Sequence, residues 1–104
     1  MRQDIMQGTT PTHTFTVPFD TSVIKTARFV YTQDDEAKII KEGDDVKLEG
    51  NEVSTTLTQE DTFLLRPCGT VYLLLRVLTE GGDAQTSDPV TLLCRGCADK
   101  EVLT

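Results

Sequence analysis

The 104-residue chain has no tryptophan, one histidine and three cysteines. Without tryptophan it lacks the broad aromatic platform on which sugar rings stack, which weighs against a glycan-processing cleft. A lone histidine, His13, can serve as a general base only beside a nucleophile, and no Gly-x-Ser-x-Gly or comparable nucleophile setting occurs. Cys68, Cys94 and Cys97 form an odd set, which does not fit a secreted disulfide framework. Free thiols in a reducing compartment are expected. Cations are scarce too, with ten Lys and Arg against 17 Asp and Glu and a net charge of −7. Such a surface, with no basic stripe, repels phosphate backbones and anionic headgroups, so neither nucleic acid nor membrane is an expected partner. The longest apolar run, Val71–Leu75, is strand-sized and far short of the ~20 residues of a helical span. Met1 to Met6 hold no apolar signal core, and cytoplasmic synthesis is expected.

What is present is β-patterned. The region from Thr70 to Cys94 reads as a hairpin. Val71, Leu73, Leu75 and Val77 share one face of its first strand, and Tyr72, Leu74, Arg76 and Leu78 share the other. Only Arg76 interrupts the apolar character, the pattern of a central strand covered on both faces or nearly so. Glu80-Gly81-Gly82-Asp83 supplies the turn, since glycine accepts the positive φ of tight hairpins. Pro89 cannot donate to a ladder, so the returning strand is an edge or bulges near Ser87-Asp88-Pro89. Upstream, Phe15 and Val17 alternate with threonines from Thr12, followed by strands over Val23–Thr32, Ala37–Glu42, Val46–Leu48 and Val53–Leu57. Thr58-Gln59-Glu60-Asp61 has the spacing of a capping box and predicts one helical turn between two sheets.

Six to seven short strands with regular turn signals predict an immunoglobulin-like antiparallel β-sandwich with a helical turn near Thr58–Asp61. The Cys…Trp…Cys signature of true immunoglobulin domains is missing, so the likeness is architectural. The expected layout is a flexible leader over residues 1–8, one sandwich domain over 9–97 and a tail over 98–104.

Candidate chemistry is sparse. Cys94-Arg95-Gly96-Cys97 closes a strand, with no room for the long helix that activates a redox C-x-x-C. As half of a zinc site it would need Cys68 and His13, and nothing in the spacing brings these together. No metal and no cofactor is assigned. His13 is expected at the rim of its strand. Asp34-Asp35-Glu36 and Asp44-Asp45 lack calcium-loop spacing and read as turn formers. Arg76 either pairs with an acid or faces solvent or a partner chain.

Several segments together resemble small proteins encoded in prophages of Gram-positive bacteria, chiefly Firmicutes. The opening Gly8-Thr9-Thr10-Pro11-Thr12-His13-Thr14-Phe15 is one, and Leu57-Thr58-Gln59-Glu60-Asp61-Thr62 is another. Arg76-Val77-Leu78-Thr79, Gly82-Asp83-Ala84 and Ser87-Asp88 complete the set. The resemblance covers about residues 8–95, and the cysteine-bearing end departs from it. It implies a component of the phage structural region, near tail or baseplate genes, made in the bacterial cytoplasm, with the virion as one destination. It implies no activity for any residue.

The expected function is therefore non-catalytic: a structural or adaptor part of a phage particle. Its partners would be other phage structural proteins or further copies of itself. Thr12, Thr14, Thr16 and Arg76 are the candidate contact residues. The alternative is a sandwich module that recognises a host-surface glycan or protein.

Overall fold

The structure is a computed structural model and describes residues 3–104. Its elements in chain order are β1 (Gln3–Met6), β2 (Thr12–Thr16), β3 (Ile24–Gln33), β4 (Glu36–Glu42), β5 (Val46–Glu49), β6 (Glu52–Thr56), helix α1 (Gln59–Phe63), β7 (Thr70–Thr79), β8 (Ala84–Thr86) and β9 (Val90–Arg95). The larger sheet runs β1-β9-β7-β3-β4, with β8 also paired to β7. The smaller runs β2-β6-β5.

Alternation places the core between them. Ala27, Phe29, Tyr31 and Gln33 point inward from β3, and Val71, Leu73, Leu75 and Val77 from β7. Val53 and Leu57 answer from the smaller sheet's side, and both are fully buried. Phe15 meets Phe29 edge-on across the interface, with ring centroids 5.6 Å apart. One strand, β4, extends the larger sheet past its central β7-β3 pair. The fold is an immunoglobulin-like β-sandwich.

Two local predictions hold in detail. Thr58 caps α1: its hydroxyl accepts from Asp61 N at 3.1 Å, and the Asp61 carboxylate accepts from Thr58 N at 2.9 Å. The returning strand breaks at Ser87–Pro89, where Ser87 Oγ accepts from Leu75 N at 2.9 Å and replaces a ladder bond.

Three expectations are corrected. The sandwich has nine strands among the described residues, not six to seven, and it is not wholly antiparallel. One added strand arises because the returning strand is split into β8 and β9, and another comes from residues expected to be a flexible leader. β1 pairs parallel with β9, Gln3 to Met6 lying against Leu92 to Arg95. Fully buried Ile5 and the unpaired outer groups of β9 account for this, because a sheet edge gains by ladder closure. Residues 1–2 of that leader lie outside the described residues. The strand β7 is central in its sheet, but its second face is open. Tyr72 is 48% exposed, Arg76 is exposed, and Leu74 and Leu78 are half-buried.

Residues 98–104 form no regular element, yet they are tied down. Leu103 N donates to Gln59 Oε1 at 2.8 Å, Gln59 Nε2 donates to Leu103 O at 3.0 Å, and Lys100 donates to Gln7 Oε1.

Candidate functional site

The strand β2 is an edge. It pairs with β6 on one side and, among the described residues, with nothing on the other. Leu57 N donates to Pro11 O at 2.9 Å, and Val17 N donates to Asn51 O at 2.8 Å. In an antiparallel ladder these bonds fix the alternation. Pro11, His13, Phe15 and Val17 turn their backbone groups toward β6. Thr12, Thr14 and Thr16 turn theirs to the open side. One N–H and one C=O from each of these threonines thus line a free edge. Their side chains are exposed as well, and Thr12 Oγ1 lies 2.8 Å from Thr56 Oγ1.

Sheet edges are ordinarily guarded by charges, bulges or covering loops. Nothing charged lies between Thr12 and Thr16. Beside the strand is a cleft of about 430 Å³, floored by Phe15, Leu73 and Val90. A smaller cavity of about 150 Å³ continues it past Val17 and Phe19 over Leu75. The open edge therefore adjoins space for side chains as well as unpaired backbone groups.

Of the four sequence-predicted contact residues, three come together here and one does not. Arg76 lies on β7 in the other sheet, on its outer face, directly across from Arg28 of β3. No carboxylate meets it among the described residues.

His13 is not at a rim. It is 6% exposed, and its Nδ1 lies 2.7 Å from the Tyr31 hydroxyl, joining β2 to β3 across the interior. Burial holds the imidazole pKa below its ordinary 6.5. Burial first, and then the Asp61 carboxylate, push the Tyr31 phenol up. Burial alone would raise the Asp61 carboxyl, but hydrogen bonds from Lys41 and Thr58 outweigh it and leave the pKa lowered. Lys41 Nζ sits 2.7 Å from that carboxylate. The parity His13 shares with Phe15 was the sequence signal for an inward-facing side chain.

The weak metal candidates are not assembled. Cys68 is exposed, Cys94 buried and Cys97 half-buried, and all three are free thiols. Burial raises the Cys94 pKa, opposite to what a reactive thiolate needs. Among the described residues no group of three or more His, Cys, Asp or Glu side chains could hold a metal ion. The Asp34–Asp35 pair is a hairpin turn with φ of 56° and 62°, and Arg66 grips Asp34 at 2.8 and 3.0 Å. No helix among the described residues is long and apolar enough to cross a membrane.

No family model matches this chain, and no curated protein does. Among solved structures it is similar to the V domain of amphioxus IgVJ-C2. The identity is 17% and the TM-score 0.33, with 88% of this chain and 98% of that one covered.

Proposed function

We propose that this chain is a non-catalytic structural or adaptor component of a phage particle, in its tail or baseplate region, and that it acts through protein–protein contacts. The sequence resemblance supplies the setting. The mode of contact rests on one observation: the uncharged β2 edge, open at Thr12, Thr14 and Thr16 beside a cleft. An extended segment of a neighbouring protein adds to this edge as a further strand. The ladder gives affinity, and side chains at alternate positions enter the cleft and give specificity.

Mass spectrometry of purified, induced particles from the source strain tests the setting. Stoichiometric amounts of the chain are expected. Its absence from particles despite expression in the lysate overturns the virion role and directs attention to host-surface binding. Replacing Thr14 with Lys tests the mode, because a charged side chain on the edge blocks strand addition. The variant is expected to fold normally and to be lost from particles. Normal incorporation removes β2 as the interface.

A further inference from the structure

The outer face of the larger sheet carries a second feature, far in topology from β2. Four arginines lie among the described residues. Three engage carboxylates: Arg28 Nε with Glu42 at 2.6 Å, Arg66 with Asp34 at 2.8 Å, and Arg95 Nε with Asp4 at 2.7 Å. Arg76 engages none. In a chain of net charge −7 that is the reverse of expectation. It is also placed against another cation, since Arg76 and Arg28 are register partners across β7 and β3. Like charges directly opposite in a sheet are destabilising, so the fold gains nothing from this pair.

Arg28 and Arg76 line one cleft of about 300 Å³, together with Thr26, Leu78, Ala84 and Gln85. Arg28 meets Glu42 through Nε, and no bond occupies its terminal nitrogens. Two register-paired arginines beside one cleft suit a carboxylate, which guanidinium groups bind with short, charge-assisted hydrogen bonds. The surroundings suit a protein-borne group. Leu78 and Ala84 wall the cleft. On the same sheet face Ile40, Val30 and Leu74 form a cross-strand row, with Ile40 49% exposed and Tyr72 close by in register.

We propose that the Arg28–Arg76 cleft is a docking site for an acidic side chain of a partner protein, flanked by apolar residues that rest on Leu78 and the Ile40–Val30–Leu74 row. This site is separate from the β2 edge and does not depend on it.

The test uses the full chain and two probes. The first is the capped peptide Ac-Leu-Glu-Leu-Glu-NH2, with its glutamine counterpart as control. The second is sodium acetate or phosphate alone. NMR titration is expected to show the acidic peptide shifting the Arg76 Nε–Hε signal and the Leu78 methyls, with little response to the glutamine peptide. Arg76→Gln is expected to weaken peptide binding about tenfold or more, as loss of a charge-assisted bond does. The same variant is expected to melt at an unchanged or higher temperature, because it removes a like-charge contact. A clear drop in melting temperature would make Arg76 a structural residue and overturn the proposal. So would silence of Arg76 toward the acidic peptide at millimolar concentration. Equal shifts with free acetate or phosphate, without a Leu78 response, would mark an ion site only and equally overturn it.

Discussion

Two regions of this molecule treat polar groups in opposite ways. Around α1 and the start of β7, polar side chains are buried and fully matched. Gln7 Nε2 donates to Leu65 O at 2.8 Å. Gln33 is 0% exposed and grips Arg66 from both sides, its Nε2 donating to Arg66 O at 2.9 Å and its Oε1 accepting from Arg66 N at 2.6 Å. Among the described residues no buried side-chain nitrogen or oxygen lacks a partner. Along β2, by contrast, three threonines hold backbone groups out with nothing to meet them. A chain that matches buried glutamines atom for atom in one place leaves a whole strand edge unpaired in another. The first region defines the fold. The second is available to something outside it.

This contrast can be broken in order of effect on stability. Gln33→Leu removes both bonds and leaves the Arg66 N–H and C=O without their partner in a part-buried site. The expected cost is about 1–3 kcal/mol, or a fall of roughly 5–15 °C in melting temperature for a domain of this size. Particle incorporation of the surviving folded fraction should not change.

Next is the His13–Tyr31 tie. Its folded-state pKa is lowered, so the unfolded chain binds the proton more readily. The stability from neutral His13 is complete above its ordinary 6.5 and is lost as pH falls through that value toward the lowered one. Asp61 follows the same sign at lower pH, keeping its contribution above its ordinary 3.8 and losing it below. Urea unfolding at about pH 7.5 and about pH 5.5 is expected to show lower stability at the acidic value. The double variant His13→Leu, Tyr31→Phe is expected to flatten that difference. An unchanged slope would mean that other groups set it.

Thr58→Ala removes the helix cap and is expected to cost about 1 kcal/mol, read as a fall of several degrees in the thermal melt. The smallest effect on the fold belongs to Thr14→Lys, expected within about 0.5 kcal/mol of the parent by denaturant titration. Its effect on assembly should be the largest of the four. If Gln33→Leu also abolished incorporation from the folded state, the two regions would not be separable in function.

Much of this architecture was written in local pattern. Alternation in β2, β3, β4, β6 and β7 and the Thr58–Asp61 box were legible because each depends on neighbours in the chain. The break at Pro89 was legible for the same reason, since a missing N–H is a property of the residue itself. The strand β1 was not. Gln3-Asp4-Ile5-Met6 carries one inward apolar residue, and it is a strand only because β9, at the far end of the chain, offers an unpaired edge. His13 read as a rim residue because its partner, Tyr31, is joined to it through the fold and not through the sequence. The open second face of β7 was hidden by its own composition. Tyr72, Leu74 and Leu78 look like covered residues, and only the sheet stacking shows that no further layer of the described residues lies over that face. Of the candidate site, the threonine edge was legible from Thr12 to Thr16, but the separation of Arg76 onto the other sheet was not.

The pairing of β1 with β9 also has a mechanical side. Because the two strands run parallel, tension entering ahead of Gln3 and leaving beyond Arg95 pulls them past each other along their length. The ladder between Gln3–Met6 and Leu92–Arg95 then bears load as a set, in shear. An antiparallel pair joined at one end would instead unzip bond by bond. Strain arriving from the C-terminal side loads the Leu103–Gln59 and Lys100–Gln7 bonds and then this clasp, before it reaches the core or the open edge of β2.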